Sequence, residues 1–326
     1  MKKNKKILCL IAVVFLLAAG PAFSEIPSFE DLQGTVSGFA ESLAQSLPFN
    51  STIGLNWSDA YIGQLLGFPP RLGVGFSLGA TTMPIDSLTE LAGNFGFNIP
   101  FDLAIGLPLP AYTIEGRVGG IILPFDVGFK FGYIPEFEMF GLGLNYRLIG
   151  FDIRYALINT KILPIKLSVG LGYNNLEGGF SATLPTGLDI SFDDLFSLSV
   201  SPPEFNLFWK TNVVELKAHV SFPLFIVTPY AGAGFSWAWS SAGYKLASEI
   251  TTNGISLEDA REILEELGVS NLDTDGFEST VDVNGWNMRL YAGLSFNITF
   301  IRLDFTLMYN VRDAGLGFTF GTRFQL

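Results

Sequence analysis

An all-β fold, an antiparallel transmembrane β-barrel, is what this 326-residue sequence predicts, and three observations predict it. Stretches of about ten residues alternate apolar and polar side chains, the period of two that gives a strand one greasy and one polar face. The connections between these stretches alternate between short and long, as in barrels with short turns at one end. Hydrophobic residues make up 48% of the chain and charged ones only 15%, yet no stretch has the composition of a spanning helix. The longest uncharged run, Val220 to Tyr244, holds Pro223, Pro229, Gly232 and Gly234, and reads as two strands meeting at a turn. A net charge of −12 with no basic cluster beyond the first six residues excludes a nucleic-acid partner. One cysteine and one histidine leave little for metal or nucleophile chemistry.

The chain divides into three parts. Residues 1–24 read as a signal peptide: lysines in Met1–Lys6, an apolar run from Ile7 to Ala19, and small residues at Ala22 and Ser24. Cys9 lies in that run, so the expected mature chain has no cysteine. Residues 25–70 form an N-terminal periplasmic or plug segment. Ser28 has the chemistry of an N-cap, and Phe29, Leu32, Val36, Phe39 and Leu43 follow at helical spacing. Such a helix could plug the lumen, lie on the membrane, or cover the periplasmic opening.

Residues 71–326 form the barrel. Strands are expected near 71–81, 112–121, 125–133, 138–147, 151–158, 163–172, 177–184, 206–221, 225–239, 285–298, 301–309 and 315–326. These make about twelve strands, with ten to fourteen open, each near the length a tilted strand needs to cross hydrocarbon. Short inner turns fall at Ile122–Pro124, Ile149-Gly150, Tyr173–Leu176, Phe222–Leu224 and Thr299-Phe300, and the long segments 82–111, 185–205 and 240–284 fall outside. Trp237, Trp239, Trp286, Tyr133 and Tyr309 mark the outer strand ends on the greasy face, as an aromatic girdle does. Trp209 has the opposite parity.

The run Thr228-Pro229-Tyr230-Ala231-Gly232-Ala233-Gly234-Phe235 and the closing hairpin Ile301 to Leu326 resemble strands of bacterial outer-membrane β-barrel proteins. The resemblance implies residence in the cell outer membrane, contact with its lipid, and insertion by the barrel-assembly machinery. An N-terminal plug would resemble the hatch of the fatty-acid transporter family typified by FadL. In such barrels the last residue is commonly Phe or Trp, whereas this chain has Phe324 followed two residues later by Leu326.

Three constellations are candidates for a site. The polar strand faces carry Glu115, Arg117, Asp126, Lys130, Arg147, Asp152, Arg154, Glu215, Lys217, His219, Arg289, Arg302, Asp304 and Arg323, all expected to face the lumen. Mixed signs two or four residues apart could line a path for polar solutes or neutralise one another. In the outer connection, a helix is expected from Ser256 to about Leu267. Asn271, Asp273, Asp275, Phe277, Ser279 and Asp282 then follow in the order of a calcium loop, with Asn at the first position and Asp in place of the final Glu. No other cofactor is expected. His219 shares its strand face with Ser221 and Glu215 but sits near the inner turn, so it is expected to line the lumen and the protein is not expected to be an enzyme. The functions these features allow are passive passage of small-molecule solutes through or along the lumen, or a structural or surface-interaction barrel.

Overall fold

The computed structural model describes residues 29–68, 70–86, 89, 106–139, 142–159, 164–183, 188–192, 196–200, 204–247, 250–253 and 277–326. The expected signal peptide and the expected helix after Ser256 lie outside them. Helix α1 (Phe29–Asn50) precedes the strands β1 (Leu72–Met83), β2 (Leu107–Gly119), β3 (Phe125–Met139), β4 (Leu142–Asn159) and β5 (Lys166–Thr183). Then come β6 (Leu188–Phe192), β7 (Phe196–Val200), β8 (Glu204–Ser221), β9 (Val227–Ala247), β10 (Ile250–Asn253), β11 (Phe277–Ile298), β12 (Ile301–Asn310) and β13 (Leu316–Gln325). Strands β1–β5, β8, β9 and β11–β13 close a ten-stranded antiparallel barrel, sealed where Gly73 of β1 pairs with Gln325 of β13. Strands β6, β7 and β10 form a separate three-stranded sheet in the outer connections.

The barrel has ten strands rather than twelve because two expected turns are continuous strand. Ile149-Gly150 lies inside β4 and Tyr173–Leu176 inside β5, where Gly150 pairs with Asn174 and Phe151 with Tyr173. Gly150 is there for room: a Cβ would sit 2.5 Å from both Lys130 Cε and Asn174 Oδ1. A strand glycine at a close approach looks like a turn glycine in sequence. The connection after β4, outside in the twelve-strand reading, leaves and re-enters the wall at the periplasmic end, where Asn159 pairs with Lys166.

Short turns at 120–124, 222–226 and 299–300 set the periplasmic end. The outward faces are apolar, and β13 shows the alternation without a break from Leu316 to Gln325. Trp237, Trp239, Trp286, Tyr133 and Tyr309 are exposed on this outer surface. Trp209 turns inward and packs on the core, with Gly178 leaving space for its ring. A closed barrel pairs every wall strand and presents hydrocarbon-compatible side chains to the bilayer, so the chain spans the outer membrane.

The wall is uneven. β12 and β13 are ten residues long, enough for the apolar band, whereas β9 and β11 have 21 and 22 residues and rise past it. Helix α1 leans on the tall side, with Val36, Ala40, Leu43, Ala44 and Leu47 buried at helical spacing. Ser37 Oγ lies 3.3 Å from the Tyr244 hydroxyl near the outer end of β9. From Asn50 the chain descends the lumen to the periplasmic turns, where Leu65 N–H bonds the Gly120 carbonyl at 2.9 Å. The N-terminal segment is therefore a plug that enters the lumen from its outer end.

Purified protein in detergent should give a β-type circular-dichroism spectrum and run at different positions on a gel before and after boiling; a helical spectrum would contradict the barrel. An epitope placed between Ile26 and Phe29 should be labelled on intact cells. Labelling only after permeabilisation would reverse the direction assigned to α1.

Candidate functional site: a plugged lumen

The lumen has two chemically distinct halves. In the periplasmic half, residues 51–62 of the plug are held by a lattice of charges from the wall. Charges two apart on one strand are about 7 Å apart, too far to pair, so the pairs form between strands. Arg117 of β2 contacts Asp126 of β3 at 2.5 Å and Asp152 of β4 at 2.7 Å. Arg154 reaches Asp126 at 2.8 Å, Lys217 of β8 pairs with Asp152, and Arg289 of β11 meets Glu215 at 2.6 Å. Arg323 pairs with Asp304 on β12 and with Asp59 of the plug, the latter at 3.0 Å.

The same side chains satisfy the plug backbone. Glu115 accepts hydrogen bonds from Leu55 N–H at 2.9 Å and from the Trp57 indole at 2.6 Å. Lys130 Nζ donates to the carbonyls of Ser51 and Ile53, both at 2.7 Å. Arg154 donates to the Asp59 carbonyl at 2.8 Å, and Arg289 to Asn56 Oδ1 at 3.1 Å. Trp57 lies between two guanidiniums, 5.6 Å from Arg117 and 4.8 Å from Arg323. Gly54 and Leu55 take left-handed backbone conformations, φ 88° and 58°. A Cβ at Gly54 would come within 2.5 Å of Thr113 Oγ1, so the plug turns here only with glycine.

Thirteen of the sequence-derived lumen residues therefore face the interior: Glu115, Arg117, Asp126, Lys130, Asp152, Arg154, Glu215, Lys217, His219, Arg289, Asp304 and Arg323 are buried, and Arg302 is partly so. Arg147 is a correction. Because β4 runs straight through Gly150, the parity of its outer part is the reverse of that expected. Tyr146 and Leu148 point inward, and Arg147 points outward to pair with Glu177 on the exposed surface. His219 is held by the Tyr291 hydroxyl at 2.9 Å from Nδ1 and the Ser58 carbonyl at 3.2 Å from Nε2. Ser221 Oγ accepts from Ala60 N–H and Glu215 binds Arg289, so the three sequence neighbours of that face serve three different contacts.

Of the expected calcium loop, Asn271, Asp273 and Asp275 lie outside the described residues. Phe277, Ser279 and Asp282 are corrections: they stand in β11 in continuous register with Leu246, Tyr244 and Ser241 of β9, and a paired strand does not curl round an ion. Among the described residues no cluster of metal-ligating side chains occurs.

The outer half of the lumen is mainly apolar, with a few uncharged polar groups such as Asn50–Thr81 and Thr211–Ser240 paired to each other. Tyr146, Leu148, Leu176, Leu207, Ala242 and Met308 of the wall pack with α1, Phe49 and Ile53. Beside this half the wall carries a seam. The β2–β3 ladder runs from Gly119 opposite Asp126 only as far as Ile114 opposite Phe131, although β2 continues to Leu107 and β3 to Met139. Gly119 N–H points to Arg71, the residue before β1, and Gly120 N–H points to Phe125 of β3. The even positions of β2 therefore face β3, and Pro108 and Pro110 remove those donors. Pro135 adds a register shift in β3. Tyr112 closes the top of the ladder: its hydroxyl donates to the Tyr133 carbonyl and accepts from Tyr133 N–H, and its ring stacks 5.8 Å from Tyr146. None of the plug contacts of Trp57, Ser58 or Asp59, nor the seam, was singled out from sequence; the paired prolines of Leu-Pro-Leu-Pro were the available signal.

Replacing Arg117 with Met should leave Asp126 and Asp152 short of a cation and destabilise the barrel by about 3–5 kcal/mol, measured by urea unfolding in lipid vesicles. Arg147→Met, on the exposed surface, should change stability by less than about 1 kcal/mol.

Solved structures similar to the chain include the outer membrane protease OmpT from Escherichia coli, at 8% identity over 79% of this chain and 97% of that one, TM-score 0.41. The translocator domain of autotransporter NalP from Neisseria meningitidis matches at 8% identity over 90% and 96%, TM-score 0.36. The Ralstonia pickettii toluene transporter TbuX matches at 9% identity over 78% and 89%, TM-score 0.26. No curated protein matches the sequence. One family model does, across residues 80–320, most of the barrel wall, and the chain accordingly belongs to the family of unknown function DUF6588.

Proposed function

We propose that this barrel passes small apolar molecules passively from the cell exterior, through the outer half of the lumen and out sideways at the β2–β3 seam. The observation that carries this reading is the arrest of the ladder at Ile114 and Phe131 beside the largely apolar packing of α1 against the wall. The straight path to the periplasm is closed by the charged lattice around residues 51–62, which an apolar solute would have to desolvate. An apolar lining offers such a solute no penalty, and small shifts of α1 against the tall wall would admit it. Tyr112, Tyr133 and Tyr146 are the gate: Tyr112 spans the seam, touching Phe76 toward the outer surface and Tyr146 in the lumen. A second reading, a surface-interaction barrel, is favoured by the sheet of β6, β7 and β10 in the outer connections.

The two readings separate in one experiment. Cysteines replacing Tyr112 and Tyr133, two residues beyond the last ladder pair Ile114–Phe131, would be bridged by oxidation or a short bis-maleimide. Entry of an apolar naphthylamine dye into intact cells should fall at least tenfold on bridging, relative to the unbridged double variant, and return on reduction of the disulfide. Entry unaffected by bridging would reject the seam as the route and leave the surface-interaction reading.

A further inference from the structure

At its periplasmic end the molecule carries a second, independent feature. A cavity of about 370 Å3 opens there, lined by the end of the plug (Asp59, Tyr61, Ile62) and by the inner ends of the wall strands. Three cations border it: Arg71, Lys166 and Arg302. Asp59 is its one lining carboxylate, and Arg323 and Gln325 each occupy the same Asp59 oxygen at 3.0 Å. Arg302 is left 3.7 Å from that oxygen, with its buried Nε making no hydrogen bond. Among the described residues no carboxylate forms an ion pair with Arg71 or Lys166, and Lys166 donates to the Tyr61 carbonyl at 3.4 Å.

The cavity is thus cationic with an orphaned guanidinium donor, and one side of it is apolar, at Pro223 and Phe225. Phe225 lines it and is fully exposed; outside the lining, on the same periplasmic end, Phe68 is also fully exposed and Ile122 is 80% exposed. Periplasmic turns need carry no large apolar side chains at full exposure, so this combination calls for a ligand with two characters.

We propose that the cavity binds the oxyanion head of a single-chain amphiphile, a carboxylate or phosphate on an alkyl chain. The head would lie among Arg71, Lys166 and Arg302, and the chain across Phe225. An anion there supplies the acceptor Arg302 lacks and neutralises a site with more cations than acids. The same chemistry is offered by a free fatty acid or alkyl phosphate and by an anionic phospholipid of the inner leaflet.

The test uses the full barrel in nanodiscs of neutral phosphatidylcholine, titrated calorimetrically with octanoate, octyl phosphate, octanol and inorganic phosphate. Octanoate or octyl phosphate should bind at least tenfold more tightly than octanol and than inorganic phosphate. The double variant Arg71→Gln, Lys166→Gln should lose at least tenfold in affinity for the charged amphiphiles while keeping wild-type gel heat-modifiability. Neither residue contacts the buried lattice by an ion pair, so the variant tests the cavity rather than the fold; Arg302→Gln is the companion. Doping the discs with phosphatidic acid identifies the source: competition with octanoate assigns the site to a leaflet headgroup, and undiminished octanoate binding assigns it to a free amphiphile. Equal binding of octanol, equal binding of inorganic phosphate, or an unaffected folded double variant would overturn the proposal.

Discussion

Everything inside this barrel depends on one constraint: a charge withdrawn from water must find its partner within the protein. The inner half of the lumen meets it with pairs that cross from strand to strand, Arg117 to Asp126 and Asp152, Arg154 to Asp126, Arg289 to Glu215. The two pairs to Asp126 tie neighbouring strands, whereas Arg117–Asp152 reaches across β3 and Arg289–Glu215 across β9, so the set clamps strands two apart as well as adjacent ones. What remains of each side chain's hydrogen-bonding capacity is directed at the plug. Lys130, Glu115 and Arg154 bind backbone groups of residues that have no secondary structure of their own. Wall and plug are therefore one hydrogen-bonded body, not a pipe with a stopper.

The size of the barrel explains why a plug exists. Eight strands leave an interior that side chains alone can fill, and wider barrels leave space. Ten strands fall just beyond the first case. Residues 51–62 take up that excess in the polar half, and α1 takes it up in the apolar half. The division of labour follows the chemistry: irregular backbone, with open N–H and C=O groups, lies among charges, and a helix that satisfies its own backbone lies among leucines and tyrosines.

The barrel class, the strand parity of most of the wall and the gathering of the long connections at the end opposite the short turns were legible in the sequence, because alternation between lipid and lumen is imposed on every strand. The strand count was not. Gly150 and Asn174-Asn175 have turn chemistry, and only the three-dimensional crowding by Lys130 shows that Gly150 is a space-maker in a continuous strand. That misreading carried Arg147 to the wrong face. The ion pairs were legible as a set of lumen charges but not as partners, since pairing is decided by inter-strand register, which the sequence does not print. The plug was visible as an amphipathic helix through Val36 and Leu43, whereas the descent through Trp57 and Asp59 has no periodicity to read.

The direction of the plug constrains how the molecule can be made. Residues 51–62 lie inside a ring that is completed only when β1 pairs with β13, and β1 begins at Leu72, a few residues beyond the plug's exit. A finished ring would have to let the whole of α1 thread through a lumen already crowded with ionic side chains. The economical order is the reverse: the N-terminal segment is laid against the growing wall while the sheet is still open, and the final seam closes around it. Lumen charges that meet the plug early would then act as a template, so that biogenesis itself selects the residues lining the interior.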